Sequence, residues 1–208
     1  MRDPETEQLF IIMEFIEGQT LEAASPSLTS TERDDVFHQI REALVRLRKP
    51  PPADYLGCTG RKPLGDGIFI SDPVDPARSG PFARQSEMNE AMLQRITEEC
   101  AASYVSLLRT VMEDTLQGHR TGITHADLQP RNVMVRRAGG KPDGSGGSLK
   151  VTTIDWEMSG WHPEYWEFCS ASVWGSSKPE WLEAVQKMTT VYSKEYLMLG
   201  LIRSTIFC

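Results

Sequence analysis

The stretch His125-Ala126-Asp127-Leu128-Gln129-Pro130-Arg131-Asn132, read together with Ile154-Asp155-Trp156-Glu157, decides how this chain folds. Asp127 and Asn132 share one Pro-containing loop, directly before the β-rich run Asn132-Val133-Met134-Val135. Asp155 closes the next β-rich run, Leu149-Lys150-Val151-Thr152-Thr153-Ile154. Residues 137–148 between the runs are dominated by Gly, Lys, Asp and Ser, the composition of an exposed hairpin loop. If the two runs pair, the loop before the first strand and the end of the second meet at one edge. Asp127, Asn132 and Asp155 then face one cleft. Asp and Asn oxygens are the hard ligands that Mg²⁺ prefers, and a further Asp beside a metal can orient a hydroxyl and take its proton.

Upstream, Leu9-Phe10-Ile11-Ile12-Met13 is a continuous apolar run followed by Glu14-Phe15-Ile16-Glu17-Gly18, and reads as a buried strand leaving into a loop. Thr29-Ser30-Thr31-Glu32 has the form of a capping box, and Val36, Phe37, Ile40, Leu44 and Leu47 follow at helical spacing. That helix ends before Pro50-Pro51-Pro52. Residues 50–81 are rich in Gly and Pro and read as a long irregular excursion, with a short hairpin near Ile68-Phe69-Ile70. Residues 86–119 are helical, as one helix or as two broken near Glu98 to Ala102. Met88, Met92, Ile96, Tyr104, Leu107, Leu108, Val111 and Met112 line one face. Two more helices are expected at about 179–188 and 190–202.

The 208 residues suffice for one domain with a real core. Lys and Arg number 22 against 29 Asp and Glu, a net charge of −7, which argues against nucleic-acid or anionic-membrane binding. Cys58, Cys100, Cys169 and Cys208 are far apart, without zinc spacing, and read as reduced thiols. The first residues lack the apolar core of a signal peptide and no stretch is long enough to span a membrane, so a cytoplasmic protein is expected. Trp156, Trp161 and Trp166 read as packing residues, and His38, His119 and His162 as surface or satisfied core residues. The Gly-rich stretch at 139–147 lacks the following helix of a phosphate loop.

His-x-Asp-x-x-x-x-Asn followed by Ile-Asp-Trp-Glu resembles the aminoglycoside phosphotransferase (choline/ethanolamine-kinase-like) family of the protein-kinase-like superfamily. The form Asp-Trp-Glu-Met-Ser-Gly-Trp-x-Pro-Glu-Tyr-Trp-Glu from Asp155 to Glu167 is close to the fungal type. The resemblance implies an α+β fold: a mostly helical kinase-like C-terminal lobe with a small β-hairpin carrying the catalytic and metal residues. It further implies that residues 1–18 are a remnant N-lobe strand and hinge, that residues 19–208 are the C-lobe, and that the N-terminal lobe is largely absent. Asp127 aligns with the catalytic aspartate, Asn132 and Asp155 with the Mg²⁺ ligands, and His125 with a histidine that braces the loop. Glu157 adds structural support, and the backbone of Glu14 and Ile16 would hold the adenine of ATP. Ala126 replaces the usual Gly, and Gln129 stands where relatives carry His or another polar residue.

The activity so implied is transfer of the γ-phosphate of ATP to a small-molecule hydroxyl, by a protein represented here in truncated form. The alternative is a non-catalytic, pseudokinase-like remnant that binds a ligand or partner. The family's acceptor surface corresponds to about residues 50–117, where Asp66, Asp72, Glu98 and Glu99 would suit a cationic substrate. Phe10, Ile11 and Ile12 would form an unpaired apolar edge, open to self-association.

Overall fold

The structure, a computed structural model, describes residue 6 and residues 13–139, 147–173 and 178–207. The strand expected at Leu9 to Met13 lies outside them except for Met13, which is exposed. The apolar edge expected from Phe10, Ile11 and Ile12 also lies outside, as does most of the Gly-rich hairpin loop.

The chain runs β1 (Gln19–Thr20), α1 (Leu21–Ala24), α2 (Ser30–Leu47), β2 (Gly57–Cys58), α3 (Pro76–Ser79), α4 (Gln85–Thr97) and α5 (Ala102–Thr115). It continues through β3 (Thr121–Thr124), β4 (Val133–Ala138), β5 (Ser148–Thr153), β6 (Gly160–Pro163), α6 (Trp166–Ala171), α7 (Pro179–Met188) and α8 (Ser193–Ile206). This is an α+β fold in which helices surround two antiparallel three-stranded sheets, ordered β1-β4-β5 and β2-β6-β3.

The expected capping box forms at α2. Thr29 Oγ1 accepts the Glu32 N–H at 3.2 Å and Glu32 Oε2 accepts the Thr29 N–H at 2.8 Å. Val36, Ile40 and Leu44 turn one stripe of α2 into the core, where the helix packs on β5 and α7. Gln39 Nε2 reaches the Leu149 carbonyl at 2.9 Å and ties the helix to the hairpin.

The hairpin β4–β5 pairs Val133 with Thr153 and Ala138 with Ser148. Alternation does the rest. Val133, Val135 and Leu149 enter the core, while Met134, Arg136, Lys150 and Thr152 occupy the other face. Gly18 lets the chain cross close to β4. Its φ is +129°, and a Cβ there would meet the Val135 carbonyl oxygen at 2.5 Å.

Three expectations are corrected. Ile68 to Ile70 form no hairpin; Ile68 and Phe69 are buried in a turn, Phe69 against Phe82 and Trp166, and Ile70 is exposed. Residues 86–119 form two helices broken at 98–101, the second of the two readings, but the stripe of α5 shifts: Val105, Leu108 and Met112 point inward, leaving Leu107 and Val111 exposed. Asp66 and Glu98 do not face an acceptor as free acids. Asp66 is buried and bonded to Arg203 at 2.5 Å, and Glu98 is paired with Arg78 and Arg95.

The histidines behave as read: His38 is at the surface beside Glu42 and His162 is buried with a Thr124 partner. Cys58, Cys100 and Cys169 are free thiols. Among the described residues, no helix is long and apolar enough to cross a membrane.

Candidate active site

The loop between β3 and β4 and the end of β5 meet as the pairing requires. The Ile154 N–H donates to the Asn132 carbonyl at 2.9 Å, one step beyond the last ladder pair, so Asp155 leaves β5 beside Asn132. A one-turn 3₁₀ helix at Pro130–Asn132 turns the loop back on itself. The Asn132 side chain, only 4% exposed, then spans it: Nδ2 donates to Asp127 Oδ2 at 2.8 Å and to the Asp127 carbonyl at 2.9 Å. Gln129 Nε2 donates to Asp127 Oδ1 at 2.7 Å. Each carboxylate oxygen of Asp127 is therefore held by one amide, and the half-buried carboxylate has a fixed direction.

His125 is fully buried and couples the two motifs. Nδ1 accepts the Asp127 N–H at 3.3 Å, and Nε2 lies 2.9 Å from the Ile154 carbonyl. An amide can only donate and a carbonyl only accept, so the ring carries its proton on Nε2. One neutral imidazole thus spaces the residue before Asp155 from the backbone of Asp127. The Trp156 ring rests against it, centroids 4.5 Å apart, with its Nε1 donating to the Thr153 carbonyl at 3.1 Å.

Two residues sit in the left-handed region, Ala126 at φ +67° and Asp155 at φ +63°. Asp tolerates this conformation; Ala does so at a cost. The Ala for Gly replacement in the motif is therefore a strained position. Both turns redirect a side chain: the first follows His125, the second swings Asp155 out of the ladder into solvent.

Asp127, Asn132, Asp155 and His125 are brought together. Glu157 is exposed in the next turn, without a hydrogen bond among the described residues. A bracing contact comes from Glu167, which the motif reading does not single out as a functional residue. It stands in the first turn of α6, 1% exposed, and its Oε2 accepts the His125 N–H at 2.6 Å. Burial pushes its carboxyl above the usual range, against the opposing pull of the His125 and Ala126 N–H groups. The signal for it was present: one acid inside the otherwise apolar run Tyr165-Trp166-Glu167-Phe168-Cys169.

The donor set suits Mg²⁺. Asp155 is exposed, with no side-chain partner among the described residues, and Asn132 spends only its Nδ2 on Asp127. No group of three or more His, Cys, Asp or Glu able to hold a metal occurs among the described residues. A cation here would take one or two protein oxygens and complete its shell from phosphates and water, which is how Mg²⁺ is usually held.

A cavity of about 320 Å³ lies between residues 14–17 and the outer hairpin face, lined there by Met134, Arg136, Lys150 and Thr152. Residues 13–17 have no backbone hydrogen bonds among the described residues, so Glu14 and Ile16 keep their N–H and C=O groups available. A larger groove, about 720 Å³, lies between α2 and α7 and touches the loop only at Pro130. None of the candidate site residues lines it, so it is set apart from the chemistry described here.

The family model described as "Phosphotransferase enzyme family" matches residues 1–196. No curated protein matches the chain. Among solved structures, the choline kinase LicA from Streptococcus pneumoniae is similar at 15% identity and a TM-score of 0.44, over 92% of this chain and 56% of that one. The aminoglycoside phosphotransferase APH(4)-Ia is similar at 18% identity and a TM-score of 0.42, over 91% of this chain and 58% of that one. The chain thus spans a little over half the length of these structures.

Proposed function

The chain belongs to the phosphotransferase enzyme family, and from that premise we propose that it carries the catalytic loop of an ATP-dependent kinase acting on a small-molecule hydroxyl. The observation that carries this reading is the Asp127 carboxylate, held by Gln129 on one oxygen and Asn132 on the other, beside Asp155, whose side chain has no partner among the described residues. Each Asp127 oxygen keeps a lone pair for the acceptor. The residue would hold the acceptor hydroxyl in line and take its proton as the new P–O bond forms. Fixing that direction beforehand lowers the entropic part of the barrier.

Asn132 and Asp155 would hold Mg²⁺, which, when bound, neutralises charge on the phosphates. The backbone of Glu14 and Ile16 would receive the adenine edge, with Met134 and Thr152 beneath the ring. In this reading residues 1–18 hold a strand and the hinge and residues 19–208 the catalytic lobe.

The test uses the 208-residue chain with and without Mg²⁺. ATP should raise the thermal midpoint in a Mg²⁺-dependent way, and Asp155→Ala should remove that dependence. Asp127→Asn should leave the shift intact and cut Mg-ATP turnover by about 100-fold or more. A Mg²⁺-independent shift that survives Asp155→Ala, with turnover indifferent to Asp127→Asn, would leave a binding remnant and not an enzyme.

A further inference from the structure

Glu167 is the most buried acid among the described residues, and it lies outside both motifs of the site. Its Oε2 accepts the His125 N–H at 2.6 Å, and the Ala126 N–H faces the same carboxylate. Its Oε1 has no partner among the described residues. We infer that Glu167 is the positioning residue of the catalytic loop: by holding the His125 N–H it fixes the left-handed turn at Ala126 and thereby the aim of Asp127. The consequence for turnover rests on the phosphotransferase reading; the hold itself does not.

The geometry gives the reason. A left-handed Ala persists only where its surroundings over-determine it. His125 precedes that turn and is pinned on both sides. Its ring is fixed by the Asp127 N–H and the Ile154 carbonyl, and its backbone by Glu167. Released from Glu167, the turn could relax toward an ordinary conformation and carry the Asp127 carboxylate with it. A neutral side chain would fill the space beneath the loop at lower cost, because a buried carboxylate with one unpartnered oxygen weighs against folding. What the carboxyl oxygen adds is a short hydrogen bond that holds the loop, 2.6 Å from the His125 nitrogen.

The closing experiment compares Glu167→Leu, which removes the acceptor, with Glu167→Gln, which keeps an oxygen but no charge. In the 208-residue chain, Glu167→Leu should speed amide hydrogen exchange at His125 by about tenfold or more, while exchange in α2 stays unchanged. Its kcat for Mg-ATP should fall about 100-fold with the KM for ATP within about twofold. Glu167→Gln should recover kcat to within about tenfold of the parent, with a thermal midpoint no lower than the parent's. Unchanged exchange at His125, or a kcat that falls only in step with the thermal midpoint, overturns the inference. Should Glu167→Leu not fold, Glu167→Gln decides: exchange at His125 about threefold faster supports the hold, and unchanged exchange ends it. If neither the parent nor Asp127→Asn turns over Mg-ATP, the phosphotransferase reading fails, and the exchange rates still decide whether Glu167 holds the loop.

Discussion

Ala126 shows what one residue contributes to this site and how far its letter in the sequence conveys it. At φ +67° an L side chain is disfavoured by about 1–2 kcal/mol, strain that Gly would relieve. Against that, Ala126→Gly loses a buried methyl worth about 0.8 kcal/mol. It also loosens the unfolded chain by about 0.4–1 kcal/mol. The opposing effects nearly cancel, so Ala126→Gly should change unfolding stability by less than about 1 kcal/mol in urea melts. A loss well beyond that would mean that Glu167 and His125 relieve the strain by other means. The motif residues Asp127, Asn132 and Asp155 were legible because their spacing around two β-rich runs admits one hairpin. The backbone angles at Ala126 and Asp155 were not, because no residue type at either position demands them. The clamp from Gln129 was hidden for the same reason: an amide two residues from a carboxylate pairs with it only if the loop is tight.

Helix α2 marks the element scale, where local signals are strongest. Its N-terminus is closed twice, by the Thr29–Glu32 box and by the ion pair of Glu32 with Arg137 on β4, which also anchors the helix to the hairpin. Arg137 first, then the Thr29 backbone, holds the Glu32 carboxyl down to about 2. Thr29→Ala removes the hydroxyl that accepts the Glu32 N–H and should lower stability by about 1 kcal/mol, read as a drop in the urea midpoint at unchanged slope. An unaltered midpoint would place the closure of the helix on the ion pair with Arg137. Elements with such signatures could be read ahead: α2 from its cap and stripe, β4 and β5 from a polar loop between β-rich runs.

Others could not. Strand β2 is two residues long and β6 four, and they find each other across a long stretch of chain with no local mark of the pairing. Helix α6 has six residues, five of them buried, so it has no polar face to set a period. In α5 apolar residues stand on both sides of the true stripe, and Leu107 and Val111 were placed on the wrong one. Glu167 sits in α6, and so its contact with the loop is not legible, although its letter closes the fungal-type stretch.

At the scale of the whole molecule, the second sheet, α6 and the long excursion converge on His162. Its Nδ1 lies 2.7 Å from Thr124 Oγ1 on β3, its ring stacks on Trp166 at 5.3 Å, and Asp66 lies near enough to favour its charged form. Burial prevails and depresses its pKa from 6.5 to about 4. The sign follows from proton binding. Between pH 6.5 and 4 the unfolded chain takes up a proton that the folded one refuses, so the contribution of His162 is whole above pH 6.5 and shrinks as the pH falls toward 4. A shift of that size corresponds to about 3 kcal/mol. His162→Gln cannot titrate there. It should be the less stable protein at pH 7.5, having lost the stack on Trp166, and its deficit should narrow by about 2.5 kcal/mol on going to pH 4.5. Carboxylates that titrate over the same range do so in both proteins and leave the difference untouched. Urea melts of the pair at pH 7.5, 6 and 4.5 measure it directly. A deficit that stays constant would mean that His162 takes up its proton in the folded chain as readily as in the unfolded one. The junction of β3, β6 and α6 around His162 would then be open to water.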